Sequence, residues 1–247
     1  MSEFKLLMAI EDEWGPIQVL DDGDTRILSF CDNDEQSKML KLSPHIPQHT
    51  YVQAMLLVLM FSTPKSAIIL GLGGGALVHS LRRFDAAIKL TAVELRATVI
   101  ELAKRYFQLP IGKKLTLIHQ DANLFLQQGE HKRVDIIFAD LYGAQGVDEG
   151  QLSMAFITQC AELIKADGFL VLNCWKEHSQ NRLLLSYLQQ HFTDIHACLT
   201  GGGNWVIFAA KQPNAISSVA IKNRSAELSQ QLDFPLARSL TRFGPWQ

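Results

Sequence analysis

Short apolar runs alternate with amphipathic stretches from Ser66 to Phe192, and each junction carries a glycine, a proline or a polar turn. Residues 67–70, 89–93, 115–118, 134–139 and 168–174 predict five strands, near-continuously apolar as strands buried on both faces are. Residues 75–84, 97–107, 122–128 and 153–164 predict the helices between them, and 179–192 a last long one. In the first of these, Leu77, Leu81 and Phe84 share one face at i, i+4 and i+7. Strands that alternate with helices predict a parallel sheet with helices on both sides. The pattern then changes. Segments 195–199 and 205–210 are joined only by Thr200-Gly-Gly-Gly-Asn204. That link is too short for a crossover helix, so these two strands are expected to form an antiparallel hairpin.

The ends of the chain read differently. Residues 6–10, 17–20 and 26–30 are short apolar or alternating runs broken by Asp12-Glu-Trp-Gly15 and Asp21-Asp-Gly-Asp24. They predict a small antiparallel β unit. Pro44 and Pro47 mark a connector, and 50–61 predicts a helix that Pro64 closes. The tail from Gln212 is more polar, with a helix expected around 226–232. The organisation expected is therefore an N-terminal β unit (1–50), an α/β nucleoside-binding catalytic domain (51–211) and a helical tail (212–247).

Composition narrows the function. The chain of 247 residues, 47% hydrophobic and 19% charged, can bury a full core. A formal charge of −2 and the lack of a dense Lys/Arg run give no electrostatic reason to expect a nucleic-acid partner. The longest apolar run, 54–61, falls far short of the ~20 residues that a membrane-spanning helix needs. The start of the chain has no signal-peptide pattern. Cys31, Cys160, Cys174 and Cys198 are isolated and read as reduced thiols, mostly filling the core. A soluble cytoplasmic protein with a small-molecule substrate is expected.

Chemistry concentrates at the carboxyl ends of the predicted strands, where open α/β sheets bind ligands. The run Ser66-Ala-Ile-Ile-Leu-Gly71-Leu-Gly73-Gly74-Gly75-Ala76 predicts a strand turning into a helix around a nucleotide-like ligand. Gly71, Gly73 and Gly75 are candidates for the donor site. Each of the next three strands delivers an acid to the same rim: Glu94, Asp121 and Asp140. Glu94 lies about twenty residues past the glycines, where a carboxylate accepts from both ribose hydroxyls. Asp121, followed by Ala122, is placed to accept from an adenine amino group, although a single acid after a strand is commonly only a helix cap. Asp140 would face whatever extends beyond the sugar. Residues 141–150, with three glycines, predict a mobile lid over it. Tyr142 is a candidate substrate contact, and Gln36 and Gln53 are candidates for the acceptor pocket. Cys174-Trp175 is either core packing or a substrate wall. His45 and His49 have an H-x-x-x-H spacing, but Pro47 between them spoils a helix face, so no metal site is expected. Asp32-Asn-Asp-Glu35 reads as a solvated turn rather than a calcium loop.

Gly71-x-Gly73-x-x-Ala76 also fits a dinucleotide fingerprint, which keeps an NAD-dependent dehydrogenase as a rival. The terminal hairpin and Asp121-Ala122 favour a single-nucleoside site instead. The order strand–glycine loop, Ala92-Val-Glu94-Leu, Gln120-Asp121-Ala122 and Asp135-Ile-Ile-Phe-Ala-Asp140 resembles the spermidine synthase (polyamine aminopropyltransferase) family. The front segment Gln36-Ser-Lys-Met39 also matches, so the likeness covers most of the chain. It implies a Rossmann-like, methyltransferase-type doubly wound sheet of seven strands, a frequent homodimer and a role in polyamine biosynthesis. It also implies no permanent cofactor, the adenosyl donor being a co-substrate. Gly71, Gly73, Gly75, Glu94, Asp121 and Ala122 would hold decarboxylated S-adenosylmethionine or S-adenosylmethionine itself. Asp140 would be the first carboxylate of the family's D-x-x-D motif, receiving the proton of an attacking amine. Three positions depart from the family. Gly74 stands where its glycine motif has an acid, Gly143 replaces the second acid of D-x-x-D, and Gln36 replaces a tyrosine. A dicationic diamine needs carboxylates at both ends, and only Asp148 and Glu149 in the lid are candidates to replace those lost. An S-adenosylmethionine-dependent methyltransferase and a non-catalytic nucleoside-binding homologue are the remaining alternatives.

Overall fold

The computed structural model describes residues 4–30, 35–129, 131–143, 146–213 and 217–247. Its first element is an antiparallel meander of β1 (Lys5–Asp12), β2 (Gly15–Asp21), β3 (Thr25–Ser29) and β4 (Ser37–Leu40). The first three match the sequence expectation. The fourth goes beyond it: a four-residue strand in which Ser37 and Met39 alternate inward is too short to stand out as a pattern. Cys31 and the Asp32–Asp34 part of the acidic turn lie outside the described residues. One face of the meander supplies Ile17, Val19, Leu28 and Met39 to a core of its own, closed by Val99, Leu102 and Phe107.

Next come α1 (Thr50–Met55), β5 (Ser66–Leu70), α2 (Ala76–Phe84), β6 (Lys89–Glu94), α3 (Ala97–Tyr106), β7 (Leu115–His119), α4 (Ala122–Gln127) and β8 (Val134–Ala139). The expected helix over 50–61 leaves α geometry at Leu56. Leu56–Met60, apolar on every side and wholly buried, forms a tighter 3-10 turn. After β8 the chain makes a small hairpin, β9 (Tyr142–Gly143) and β10 (Gly146–Val147), then α5 (Met154–Leu163) and β11 (Ile164–Trp175). Helix α6 (Arg182–Gln189) is shorter than expected, because Lys176–Gln180 is a separate 3-10 turn and the Asn181 side chain accepts the Leu184 N–H to start the helix afresh. The hairpin of β12 (Asp194–Leu199) and β13 (Asn204–Ala210) is antiparallel, as its short link requires.

The main sheet is doubly wound. Parallel strands β8, β5, β6 and β7 form one half, and β11 joins β8 parallel before the antiparallel β13 and β12. Side-chain alternation explains the two helical layers. In β5, Ala67 and Ile69 enter one core with α2 and the 3-10 turn, while Ile68 and Leu70 enter the other with α4, α5 and α6. The tail adds α7 (Ser218–Leu232), α8 (Ala237–Leu240) and an eighth strand, β14 (Phe243–Pro245), on the free edge of β12. Sequence periodicity could not reveal this strand, since Phe-Gly-Pro has no alternation to read.

Trp246 anchors that edge. It is 6% exposed, meets Trp205 edge-on at 5.9 Å, and its Nε1–H donates to the Ser179 carbonyl at 3.1 Å. Trp246→Ala is expected to cost about 3 kcal/mol in urea denaturation, by loss of the buried indole and its hydrogen bond. A loss below about 1 kcal/mol would place the C-terminal strand outside the cooperative fold.

Candidate active site

Three strand ends meet at the glycine turn. The Gly71 N–H donates to the Val93 carbonyl at 2.9 Å, and the Asp140 N–H donates to the Leu70 carbonyl at 2.9 Å. Gly71 has φ +89°, and a Cβ there would overlap the Asp140 carbonyl oxygen. Only glycine allows both the left-handed turn and that approach. Glu94, closing β6, accepts the Leu72 N–H at 2.9 Å and the Arg96 N–H at 3.0 Å. Burial pushes its carboxyl above the usual range, against the pull of those donors. The Gly73 N–H also donates to it, so the carboxylate shapes the loop while lining the cavity.

Beside it, Asp121 is the N-cap of α4, with one oxygen accepting the Leu124 N–H at 3.0 Å, and it also faces the cavity. Helix capping and a place in the wall therefore coexist in one side chain. The buried Ala122 lies next to it. Gly71 and Gly73 line the same cavity, whereas Gly74 and Gly75 do not. Gly75 opens α2 with its α-carbon turned toward Leu109. Gly74 donates its N–H to Ser37 Oγ at 2.8 Å. A Cβ on Gly74 would lie 2.9 Å from Phe107 Cδ1 and 3.0 Å from Ser37 Cβ. The volume an acidic side chain would enter there is filled.

Asp140 follows β8 and lines the same cavity. Its Oδ1 accepts from Asn173 Nδ2 at 2.8 Å, and the Tyr51 hydroxyl donates to the same carboxyl group. Burial pushes the Asp140 pKa up to about 6, these two donors opposing the rise and the nearby Glu94 charge adding to it. Tyr51 is itself raised, by burial and by the Asp140 charge, so it stays a proton donor. A second layer of amides holds the first. Asn204 Nδ2 donates to Asn173 Oδ1 at 3.1 Å and to the Tyr142 hydroxyl at 3.4 Å. The fully buried Gln151 donates to the Asn173 carbonyl at 3.0 Å.

The cavity that these groups share has a volume of about 750 Å3. Gln36 and Tyr142 also line it, together with Gly71, Gly73, Glu94, Asp121, Ala122 and Asp140, whereas Gly75 does not. Gln53 is turned away, donating to the Pro47 carbonyl at 2.7 Å. In the lid, Asp148 reaches the wall but caps the Gly150 N–H at 2.6 Å, and Glu149 lies outside the lining. His45 pairs with Asp233 at 3.1 Å, and His49 stacks on Tyr51. Among the described residues no group of three or more His, Cys, Asp or Glu could hold a metal ion, and no helix is long and apolar enough to cross a membrane. Cys160, Cys174 and Cys198 are buried.

Several functional groups were not visible in the sequence. Tyr51 and Asn173 reach Asp140 from α1 and β11, and Asn204 holds Asn173 from β13, with no spacing to announce them. Arg96 lines the cavity and is 7% exposed. It binds both Asp12 oxygens, at 3.1 and 2.7 Å, and the Gly15 carbonyl at 2.7 Å. Its guanidinium also covers the Phe30 ring at 4.6 Å. The signal that could have found it is its place two residues after Glu94.

A family model described as "Spermine/spermidine synthase domain" matches residues 45–220. The polyamine aminopropyltransferase of Neisseria meningitidis serogroup A is 24% identical over 241 residues, covering 94% of this chain and 90% of the relative. That of Clostridium botulinum is 27% identical over 111 residues, 43% of this chain and 39% of the relative. Among solved structures, a probable spermidine synthase from Corynebacterium glutamicum superposes with TM-score 0.78 at 14% identity, covering 97% of this chain and 90% of that one. A spermidine synthase in complex with the transition-state analogue AdoDATO gives 0.74 at 16% identity, covering 97% and 85%. Human methyltransferase-like protein 13 in complex with SAH gives 0.63 at 17%, covering 75% and 90%. These likenesses establish the Rossmann-like, methyltransferase-type fold.

The raised Asp140 pKa has a consequence for stability. The folded protein holds this proton up to about pH 6, whereas an unfolded aspartate, near 3.8, has already lost it. The contribution is complete below the unfolded value and is lost as pH rises through the folded one. Relative to Asp140→Asn, the unmodified protein is expected to lose up to about 3 kcal/mol between about pH 4 and 7. Parallel pH profiles for the two proteins in denaturant titrations would contradict the shift.

Proposed function

The chain belongs to the spermine/spermidine synthase domain family, and we propose that it is a transferase moving an aminopropyl group from an adenosyl-sulfonium donor to an amine. The observation that carries the reading is the shared cavity. A glycine turn and two acids at one end suit an adenosine, and an uncompensated carboxylate, Asp140, stands beyond them. In this reading Glu94 receives the ribose hydroxyls, Asp121 the adenine amino group, and Ala122 packs on the base. The donor's sulfonium carbon then points to Asp140.

An alkyl ammonium has a pKa near ~10 and is no nucleophile until it loses a proton. Asp140, ionised above about pH 6, accepts that proton while Tyr51 and Asn173 fix the carboxylate in place. The freed lone pair forms the C–N bond as the C–S bond breaks, and the departing pair neutralises the sulfonium to a thioether. Methylthioadenosine leaves when the donor is decarboxylated S-adenosylmethionine. In-line positioning of the two substrates in the shared cavity supplies the rest. Methyl transfer from S-adenosylmethionine is a second reading. It is favoured by Gly74, where the loop has neither an acid nor room for one, so nothing there repels the donor's carboxylate.

The product separates the two: methylthioadenosine supports aminopropyl transfer, S-adenosylhomocysteine methyl transfer, and neither product with either donor would refute both. The acid limb of kcat/KM is expected near pH 6. Asp140→Asn is expected to lower kcat at least about 100-fold while leaving donor affinity within a few fold. Glu94→Gln is expected to weaken donor binding roughly 10-fold, by calorimetry. Unchanged turnover in Asp140→Asn would remove this residue from the mechanism.

A further inference from the structure

The hairpin of β1 and β2 turns through Glu13 and Trp14, between the paired Asp12 and Gly15. Turns this tight favour Gly, Asn and Asp, so turn chemistry gives no reason for an indole at the tip. Trp14 is 50% exposed, and it also lines the cavity. Its backbone is fixed in place. Asp12 Oδ1 accepts the Trp14 N–H at 2.9 Å and a proton of Arg96 Nη2 at 2.7 Å. The Gly15 carbonyl accepts from the same Nη2 at 2.7 Å. The indole thus stands on a clamp whose other end is the buried Arg96.

That clamp belongs to one end of the cavity. Strands β8, β5, β6 and β7 lie side by side in that order. Asp140 after β8 and Asp121 after β7 are therefore three strand spacings apart, about 14 Å. Leu95 and Arg96 follow β6, and their loop is joined to the end of β7. The Gln120 N–H donates to the Glu94 carbonyl at 3.0 Å, and His119 Nε2 donates to the Leu95 carbonyl at 3.0 Å. Trp14 is held at the Asp121 end, away from Asp140. Leu95, Gln120 and Ala122 line the cavity there, with Phe30 beneath the Arg96 guanidinium.

We infer that Trp14 is a donor-binding residue, its indole packed on the adenine ring so that the hairpin tip closes the base end of the cavity. The inference rests on the adenosyl-donor reading and adds to that site the residue that favours an aromatic base. Leu95 and Ala122 offer aliphatic contact alone, whereas an indole and a purine present flat faces of matching size that stack. Because Arg96 already pins the tip, little freedom is lost when the ring is covered, and more of the contact appears as affinity.

Titration with methylthioadenosine, followed by calorimetry and by tryptophan emission, tests this without requiring turnover. Trp14→Ala is expected to weaken binding about tenfold. Trp14→Phe keeps an aromatic face and is expected to bind within about threefold of the unmodified protein. It is also expected to lose most of the emission change that the nucleoside causes in the unmodified protein. That second readout separates stacking from support of the tip, since Asp12, Gly15 and Arg96 are untouched in both variants. Affinity within about twofold in Trp14→Ala would overturn the inference. So would an emission change that is absent from the unmodified protein or undiminished in Trp14→Phe. In those cases the transferase reading still stands on its own product assay. Failure of methylthioadenosine to bind the unmodified protein would overturn both.

Discussion

A carboxylate kept without a cation at the end of a central strand is the constraint around which this molecule is arranged. Asp140 emerges from β8 beside the turn that follows β5, so close that Gly71 can carry no side chain. Burying an ionisable acid is costly unless donors satisfy it. Here the donors are a phenol from α1 and an amide from β11, the latter held by a further amide from β13. Neutral donors fix the geometry and still leave the pKa raised. A guanidinium in the same place would have fixed it equally well but pulled the pKa down and made a poorer base. Four separate parts of the chain must be folded before this environment exists.

The donor end uses charge in the opposite way. Arg96 is almost fully buried, but both Asp12 oxygens and a backbone carbonyl satisfy it, and its own N–H belongs to the Glu94 carboxylate. One residue therefore ties the tip of the β1–β2 hairpin to the acid that shapes the glycine turn. Ser37, from β4, makes a second tie through the Gly74 N–H. The N-terminal meander is thus part of the cavity wall, not only a cover over α3. Breaking the Arg96 pair would strand a buried charge, which makes this junction rigid.

The glycines at 74 and 143 are not equivalent. At Gly74 the missing side chain has been traded for packing of Phe107 and Ser37 against the loop. At Gly143 the space is open and simply lacks a charge. The first is built into the core and the second into the cavity wall.

Much of the architecture was legible in the order of residues. The near-continuous apolar runs and amphipathic stretches from β5 to β13 locate the strands and helices, because burial on both faces of a strand and on one face of a helix leaves patterns that a single chain displays. The acids at the strand ends were legible for the same reason: the rim of a parallel sheet is a position defined by where each strand stops. What periodicity could not reveal were β4 and β14, short strands created by the edge they pair with, and the break at Asn181, set by one capping side chain. Nor could it reveal the partners of Asp140. Tyr51 and Asn173, and the Asn204 that holds Asn173, lie far from it in the sequence, and the Gly74 side is closed by Phe107 more than thirty residues later. Local sequence determines which way a strand faces and where it ends. Which neutral groups surround a buried acid, and how far they let its proton stay, is decided only when distant segments pack.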